Sequence, residues 1–279
     1  LTVSPILDAF VDWIWNTFFY YLNAFNIFLL TNVLGPMKQA YLNMPVISTF
    51  VLFMGAGYII GGIRSCLIVG SLILFIALSE YWDRTLITLY MATFAVGVSA
   101  ISGIIVGSLC SQNDFASKST ISLCDFFQTF PSFIYLIPVI LLFGITDTSV
   151  MIAAIVYASV PATRYTVEGH RSVPSSLHDA GSMSGVSKLQ RWRLIDLPLA
   201  LPHIMLGINQ TVIFALMMIV LGALIGTEDL GQLIMGSLSR PNGAGIGFTL
   251  GIFISFICLA ADNLIRTWAD ERKKLLGIQ

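Results

Sequence analysis

Seven apolar runs dominate this sequence, and they leave few folds open to it. They cover residues 46–63, 65–79, 84–110, 120–145, 147–167, 202–226 and 244–266. A helix needs about 20 apolar residues to cross a hydrocarbon layer about 30 Å thick. Only 10% of the 279 residues are charged, whereas soluble domains carry about 25%. The pattern predicts an all-α polytopic membrane protein with about seven transmembrane helices.

The basic residues between and after the runs predict which helix ends face the cytoplasm. They concentrate in the linker after residue 167 and in the tail from residue 266 onward, and the positive-inside rule assigns such segments to the cytoplasm. Counting back through seven helices places the N-terminus outside and the C-terminus in the cytoplasm. The near balance of 14 basic and 15 acidic residues gives no reason to expect a nucleic-acid partner.

Residues 1–44 precede the runs and form a separate segment. Its otherwise aromatic and aliphatic sequence carries polar residues near helical spacing, namely Asp8, Asp12, Asn16 and Asn23. Such a stripe predicts an amphipathic helix in the membrane interface, and its acidic character favours the outer face. An eighth crossing is the alternative. The transmembrane domain then comprises residues 45–279, with a cytoplasmic loop at 168–200.

The sequence offers no group of residues suited to catalysis or metal binding. His170, His178 and His203 do not combine with a nucleophile or a metal-ligand motif, and the four cysteines lack ligand spacing. No GxxxxGK[ST] phosphate loop occurs. We therefore expect no catalytic residue, metal or cofactor in this chain, and a membrane enzyme is disfavoured.

The linker between the fifth and sixth runs carries the most specific pattern. Ser176 with Asp179, and Ser187 with Gln190, have the spacing of helix-capping boxes. They predict two short helices, the first ending near Gly185 and the second ended or kinked by Pro198, before a helix that begins near residue 202. The first helix is rich in small residues, which are Ala180, Gly181, Ser182, Ser184 and Gly185. It would suit insertion into a groove of a partner, and an ordinary cytoplasmic hairpin is the alternative.

The same linker resembles the EAA loop of permease subunits of binding-protein-dependent ABC importers. That loop reads EAA, three residues, G, nine residues, I, one residue, LP, and every gap is matched here by Asp179, Ala180, Gly181, Gly185, Ile195, Leu197 and Pro198. The departures are Asp179 for the family's Glu and Gly181 for its second Ala. Residues 128–145 and 197–226 resemble, more narrowly, permeases for glycine betaine, proline betaine and choline.

The resemblance implies the type I ABC importer permease fold in a bacterial inner membrane. The chain would form the pathway for a small quaternary-amine or betaine-type solute, such as glycine betaine, choline, proline betaine or trimethylamine N-oxide. Its partners would be a second permease copy in a homodimer, two cytoplasmic ABC ATPase subunits holding ATP and Mg, an external substrate-binding protein, and membrane lipid. Residues 179–185 would be the coupling helix. A permease for another small solute, such as an amino acid, is the alternative.

A few polar and aromatic residues within the runs could line a pathway. They are Gln128, Phe130, Tyr135, Asn209 and Gln210, for which interhelical hydrogen bonding and packing are the alternatives. No Asp, Glu, Lys or Arg lies near the middle of a run, whereas proton- or sodium-coupled transporters usually place ionisable groups there. We find no clear internal repeat, so a stand-alone secondary transporter is the less favoured reading.

Overall fold

The computed structural model describes residues 4–275, except for the side chains of residues 4, 6–8, 178, 179, 182, 188 and 275. Twelve α-helices account for most of this described range. They are α1 Ser4–Leu29, α2 Gly35–Leu42, α3 Val46–Ala77, α4 Trp82–Cys110, α5 Asp114–Thr129, α6 Leu136–Phe143, α7 Asp147–Arg171, α8 Ser175–Met183, α9 Lys188–Arg191, α10 Leu197–Gly222, α11 Leu230–Leu238 and α12 Ala244–Leu275. No strand occurs among these described residues. The all-α prediction is confirmed.

Helix α3 is a hairpin whose two arms correspond to the first two predicted runs. Its backbone leaves helical torsions at Gly61 and Gly62, where Gly62 has a φ of 63° that suits glycine. A Cβ at Gly70 would lie 3.1 Å from the Met54 side chain, whereas a straight helix would separate these positions by about 24 Å. The predicted division of residues 46–79 is therefore confirmed. The second arm packs along α12, where Ser65 bonds to Asn263.

Helices α4, α7 and α10 form the centre of the bundle. Glycines on α4 and α10 let the backbones approach α7, because a Cβ at Gly103 would lie 2.5 Å from the Ala162 Cβ and one at Gly222 would lie 2.6 Å from Val150. Close approach through small residues is the usual means of helix association in lipid. The buried side chains between them include Tyr90, Met91, Met151, Met218 and Ile219.

The fourth predicted run is not one straight helix. Helices α5 and α6, with a short 3-10 turn at Ser132–Tyr135, meet at an angle of 103°. Phe130 and Pro131 adopt extended torsions there, because proline lacks an N–H and disfavours helix in the residue before it. The expectation of a continuous helix over 120–145 was wrong in this respect. Among the described residues, six helices are long and apolar enough to cross a membrane, with α3 counted once, or seven if this bent pair is one crossing.

The N-terminal helices lie against one end of the bundle. Asn26 donates to the Phe143 carbonyl at 3.3 Å, and Lys38 reaches Glu228 at 3.1 Å and Asp147 at 3.7 Å. Phe143 ends α6, Asp147 begins α7 and Glu228 precedes α11, and counting the predicted crossings back from the cytoplasmic tail places these helix ends outside. Residues 26–38 therefore run across the ends of other helices, which agrees with an interfacial position. By length and composition the segment Ala9–Leu42 could also cross a membrane, so the position of residues 1–44 stays a prediction, and the Asp8 side chain lies outside the described residues.

The same end of the bundle holds a buried carboxylate, Asp229, which caps α11. Its Oδ1 accepts from the Gln232 backbone N–H at 3.0 Å, and the side chain is fully buried. Burial raises the pKa of Asp229 to about 6, from an ordinary value of about 3.9. The neighbouring Glu228 is exposed, and its hydrogen bond with Lys38 lowers its pKa.

We expect the protein to become more stable as pH falls from 7 towards 4, through Asp229. The pKa of Asp229 is higher in the folded than in the unfolded protein. Its contribution to the free energy of unfolding is therefore fully present below about pH 4 and is lost as pH rises through 6. This contribution amounts to roughly 1 to 3 kcal/mol. Asp229→Asn keeps a capping side chain and should remove this pH dependence, measured as the unfolding temperature in detergent at each pH. Glu228→Gln is a comparison of opposite sign: the pKa of Glu228 is lowered in the folded state, so its contribution is lost as pH falls, and this variant should keep the pH dependence that comes from Asp229. An unchanged pH profile in Asp229→Asn would contradict the assignment.

Candidate functional site

The linker of residues 172–196 contains the two predicted short helices. The first, α8, spans Ser175–Met183 and is followed by Gly185 with a φ of 74°. It begins one residue before Ser176, so Ser176 lies in the first turn and not at the predicted cap. The second capping box is confirmed, because the Gln190 side chain accepts from the Ser187 N–H at 2.9 Å and Ser187 Oγ accepts from the Gln190 N–H at 3.3 Å.

Helix α8 packs through Gly181 against the segment that contains Arg191 and Ile195. A Cβ at this position would lie 3.2 Å from Ile195 Cδ1 and 3.7 Å from Arg191 Cγ. Gly181 is therefore buried, not exposed as expected, whereas Ala180 and Gly185 are exposed. Three residues of the EAA-like pattern thus lie close together. Gly181 packs against Ile195, and Ala180 lies next to Gly181 on the exposed side of α8. Asp179 belongs to α8, and its side chain is outside the described part.

We expect Gly181→Ala to preserve the packing of α8 against Ile195 and Gly181→Leu to disrupt it. The alanine methyl group would meet only the flexible end of Ile195, and helix propensity favours Ala over Gly by about 1 kcal/mol. A leucine side chain would instead displace α8 from Ile195. Solute-stimulated ATP hydrolysis by the assembled complex should stay within about twofold for the alanine variant and fall severalfold for the leucine variant. Equal activity in both would show that the contact is dispensable.

The base of the linker is tied to α4 and α7 through His170. Its Nε2 lies 3.1 Å from Ser108 Oγ at the end of α4, and its ring stacks with that of Trp192 at 6.4 Å between centroids. Arg191 Nε lies 3.6 Å from the buried Asp196. A cleft of about 700 Å³ is lined by these residues and by the exposed Ile105 and Leu109 of α4. The linker therefore has a fixed base and a free α8 surface.

The second short helix does not end before the sixth apolar run. Helix α9 continues through a π-helical turn, Trp192–Asp196, into α10, and the Leu197 N–H donates to the Trp192 carbonyl five residues back. A π turn changes the hydrogen-bond register just where Pro198 lacks an N–H and would crowd the carbonyl four residues before it. The predicted helix end at Pro198 was therefore wrong. Leu197 and Pro198 open α10 instead, so the helix runs from α9 into the bundle without a break.

The sequence reasoning missed the exposed large apolar side chains of the linker, of which Met183 and Leu189 are the two most exposed. Met183 is 89% exposed and Leu189 is 73% exposed. Their apolar character within a polar linker was the available signal, since exposed apolar groups at a free surface mark contacts with a partner. They flank the exposed turn at Gly185.

The residues considered for a pathway fall into different places. Asn209 is buried and donates to Asp262 at 2.6 Å, and Asp262 also binds Arg266 at 2.6 Å, so interhelical bonding accounts for Asn209. Gln128 accepts from Arg164 at 3.4 Å, and Gln210 is half-buried on α10. The ring of Phe130 lies 4.9 Å from Phe126.

Tyr135 is held at the bend between α5 and α6. Its hydroxyl donates to the Phe127 carbonyl at 2.6 Å, and its ring lies 5.2 Å from that of Tyr157. Asn209 and Tyr135 thus belong to separate clusters, and the structure does not gather the five residues at one point.

Comparison with known proteins gives consistent matches. A family described as "Binding-protein-dependent transport system inner membrane component" matches residues 99–273. The trimethylamine N-oxide transport system permease protein TmoV of Pelagibacter ubique is 62% identical over 100% of this chain and 39% of that protein. Its counterpart in Ruegeria pomeroyi is 38% identical over 98% and 40%. The glycine betaine transport system permease protein OpuAB of Bacillus subtilis is 30% identical over 98% of this chain and 96% of that protein. The chain thus spans about two fifths of the two trimethylamine N-oxide permeases.

Proposed function

Because this chain belongs to the inner membrane components of binding-protein-dependent transport systems, we propose that it is the permease of an ATP-driven importer for small quaternary-amine or betaine-type solutes. The bundle would form the translocation pathway. The linker of residues 168–200 would couple that pathway to ATP hydrolysis in separate subunits.

One observation carries the coupling role. Helix α8 projects from the bundle on a base fixed by His170 and Trp192, and it contacts the bundle through Gly181 and Ile195. Ile195 lies in the π turn that continues into α10 without a break in the helix. A force applied to α8 would therefore be transmitted to α10, and from there to α7, against which α10 packs closely at Gly207 and Gly222.

The partners follow from this division of roles. Two cytoplasmic ABC ATPase subunits, each binding ATP and Mg, would receive the α8 surfaces of two permease copies arranged as a homodimer. An external substrate-binding protein would deliver the solute at the opposite end, where Lys38, Asp147 and Glu228 cluster. The N-terminus would then lie outside and the C-terminus in the cytoplasm of a bacterial cell.

The solute class rests on the relatives. Trimethylamine N-oxide and glycine betaine, named for the similar permeases, share a nitrogen that carries three methyl groups. Uptake of a solute without such a group, for example an amino acid, is the alternative. Pathway residues remain proposals, and of the five considered Tyr135 is the best supported because it lies beside a cavity at a break in the membrane helices.

Purification of the chain from its native membrane tests the proposal. We expect an ABC ATPase to accompany it, and we expect the reconstituted complex to take up radiolabelled trimethylamine N-oxide or glycine betaine only with ATP and the binding protein. Uptake of amino acids measured in the same assay tests the alternative, that the importer carries an amino acid instead of a methylated amine. Accumulation by the solitary chain in vesicles without an ATPase would overturn the proposal.

A further inference from the structure

A small cavity lies beneath the break between α5 and α6, away from the coupling linker. Its volume is about 200 Å³, and it is a partly open cavity lined by α5, the 3-10 turn and α7. Polar, aromatic and thiol side chains on its wall are Thr120, Cys124, Phe127, Tyr135, Ser159 and Thr163. Irregular backbone at membrane depth is tolerated where it is buried in protein or lines a water-filled cavity. Phe130 and Pro131 are themselves exposed and do not line this cavity, whereas Phe127 and Tyr135, on either side of the break, do.

The two rings on the wall are held in place by contacts outside the cavity. The Tyr135 hydroxyl donates to the Phe127 carbonyl at 2.6 Å, which joins the turn to the end of α5. The Tyr135 ring lies against Tyr157, which stacks on Phe214 at 4.9 Å with 17° between planes. Aromatic rings attract cations, and quaternary ammonium groups in particular.

The hydroxyl groups of the wall are oriented to accept hydrogen bonds. Ser159 donates to the Val156 carbonyl at 2.9 Å, and Thr163 donates to the Ser159 carbonyl at 2.9 Å. Together with Tyr135, three of the four wall hydroxyls have their hydrogens engaged by backbone carbonyls, and Thr120 is the fourth. Their remaining lone pairs suit the polarised C–H groups of a methylated ammonium, and they suit an anionic group poorly.

Charges next to the cavity have the matching sign. Arg164, which follows Thr163, binds Asp125 at 2.6 Å and Glu168 at 3.0 Å. Asp125 follows Cys124 on the wall. Two carboxylates with one guanidinium leave a net charge of about −1 beside the cavity, and such a field favours a cationic group.

We propose that this cavity is a transient subsite for the trimethylated ammonium head of the transported solute. This inference rests on the proposed function, and it specifies the position within the permease at which the head group binds. The rings of Phe127 and Tyr135 and the hydroxyls of Ser159 and Thr163 contact the methyl groups, and the charged tail of the solute points away from the wall.

Cys124, buried in the wall, provides the test. In the assembled complex in lipid nanodiscs, with Cys66, Cys110 and Cys258 replaced by Ala, the thiol is treated with two methanethiosulfonates. One carries a 2-(trimethylammonio)ethyl group and the other its neutral 3,3-dimethylbutyl isostere. We expect the cationic reagent to react about tenfold faster, relative to the rates of both reagents with a free thiol, and millimolar glycine betaine or trimethylamine N-oxide to slow it.

Substitutions on the wall separate ring recognition from simple access. Tyr135→Leu should remove the preference for the cation, whereas Tyr135→Phe, which keeps the ring, should retain it. Phe133→Leu is the matched control, because Phe133 belongs to the same turn, is exposed and does not line the cavity. Equal relative rates, no protection by solute, no reaction with either reagent, or a preference that survives Tyr135→Leu would each overturn the inference.

Solute uptake, measured with the same preparations in vesicles, distinguishes failure of the subsite from failure of the proposed function. Uptake of trimethylamine N-oxide or glycine betaine without a Cys124 preference overturns the subsite and leaves the proposed function intact. Absence of ATP-dependent uptake of either solute overturns the proposed function itself.

Discussion

Gly185→Val should leave the protein inserted in the membrane and reduce solute-stimulated ATP hydrolysis of the assembled complex to its basal rate, a loss of roughly tenfold or more. Gly185 has a φ of 74° in the turn that ends α8. A β-branched residue is a pronounced outlier in that region, and left-handed torsions cost other L-residues about 1–2 kcal/mol. The turn would therefore rearrange and change how α8 presents its surface to an ATPase.

The comparison with Gly185→Asn identifies the cause of the effect. Asparagine tolerates left-handed torsions better than other side chains, and a Cβ at this position meets no described atom within 4 Å. We expect the asparagine variant to keep at least half of the stimulated activity. ATP hydrolysis is measured with and without solute and binding protein, and insertion is followed by membrane yield. Full stimulation in Gly185→Val would refute the role of this turn in coupling.

Gly103→Leu should destabilise the bundle strongly. A Cβ at Gly103 would lie 2.5 Å from the Ala162 Cβ and 2.9 Å from the Thr163 backbone nitrogen on α7. The backbone atoms cannot move aside, so α4 and α7 must separate and give up the packing around Tyr90 and Met151. Overpacking of this kind costs about 3 kcal/mol or more, which corresponds to a fall of roughly 10 °C in the unfolding temperature.

Gly97→Leu, on the same helix, is the matched control. A Cβ there meets no described atom within 4 Å, and leucine has a higher helix propensity than glycine. We expect its unfolding temperature to be unchanged or slightly raised. Fluorescence-detected size-exclusion chromatography after heating measures both variants. A Gly103→Leu protein as stable as Gly97→Leu would mean that the α4–α7 contact is looser than the structure indicates.

Local features of the sequence were sufficient for much of the fold. The division of residues 46–79 and the capping box at Ser187 were predicted correctly. Each depends on residues within a few positions of one another, because a helix in a membrane satisfies its own backbone hydrogen bonds. The residues of the EAA-like spacing also form short helices and turns of the same linker, and their coupling role stays a proposal.

Contacts between distant residues decided what the sequence left open. The hydrogen bond that Asn209 makes with a neighbouring helix depended on Asp262, which lies 53 residues further along the chain. The burial of Gly181 depended on how α8 folds back onto Ile195. Neither relationship has a periodicity that a sequence could display.

The sequence by itself thus determined that this protein is a bundle of membrane helices with a small-residue helix on a polar linker, because the bilayer fixes segment length and composition. Only the tertiary structure decided that the fourth run bends by 103° beside a cavity and that helix continues through Pro198 by a π turn. Proline permits both a break and a continued helix, and the packing of neighbouring helices selects between them.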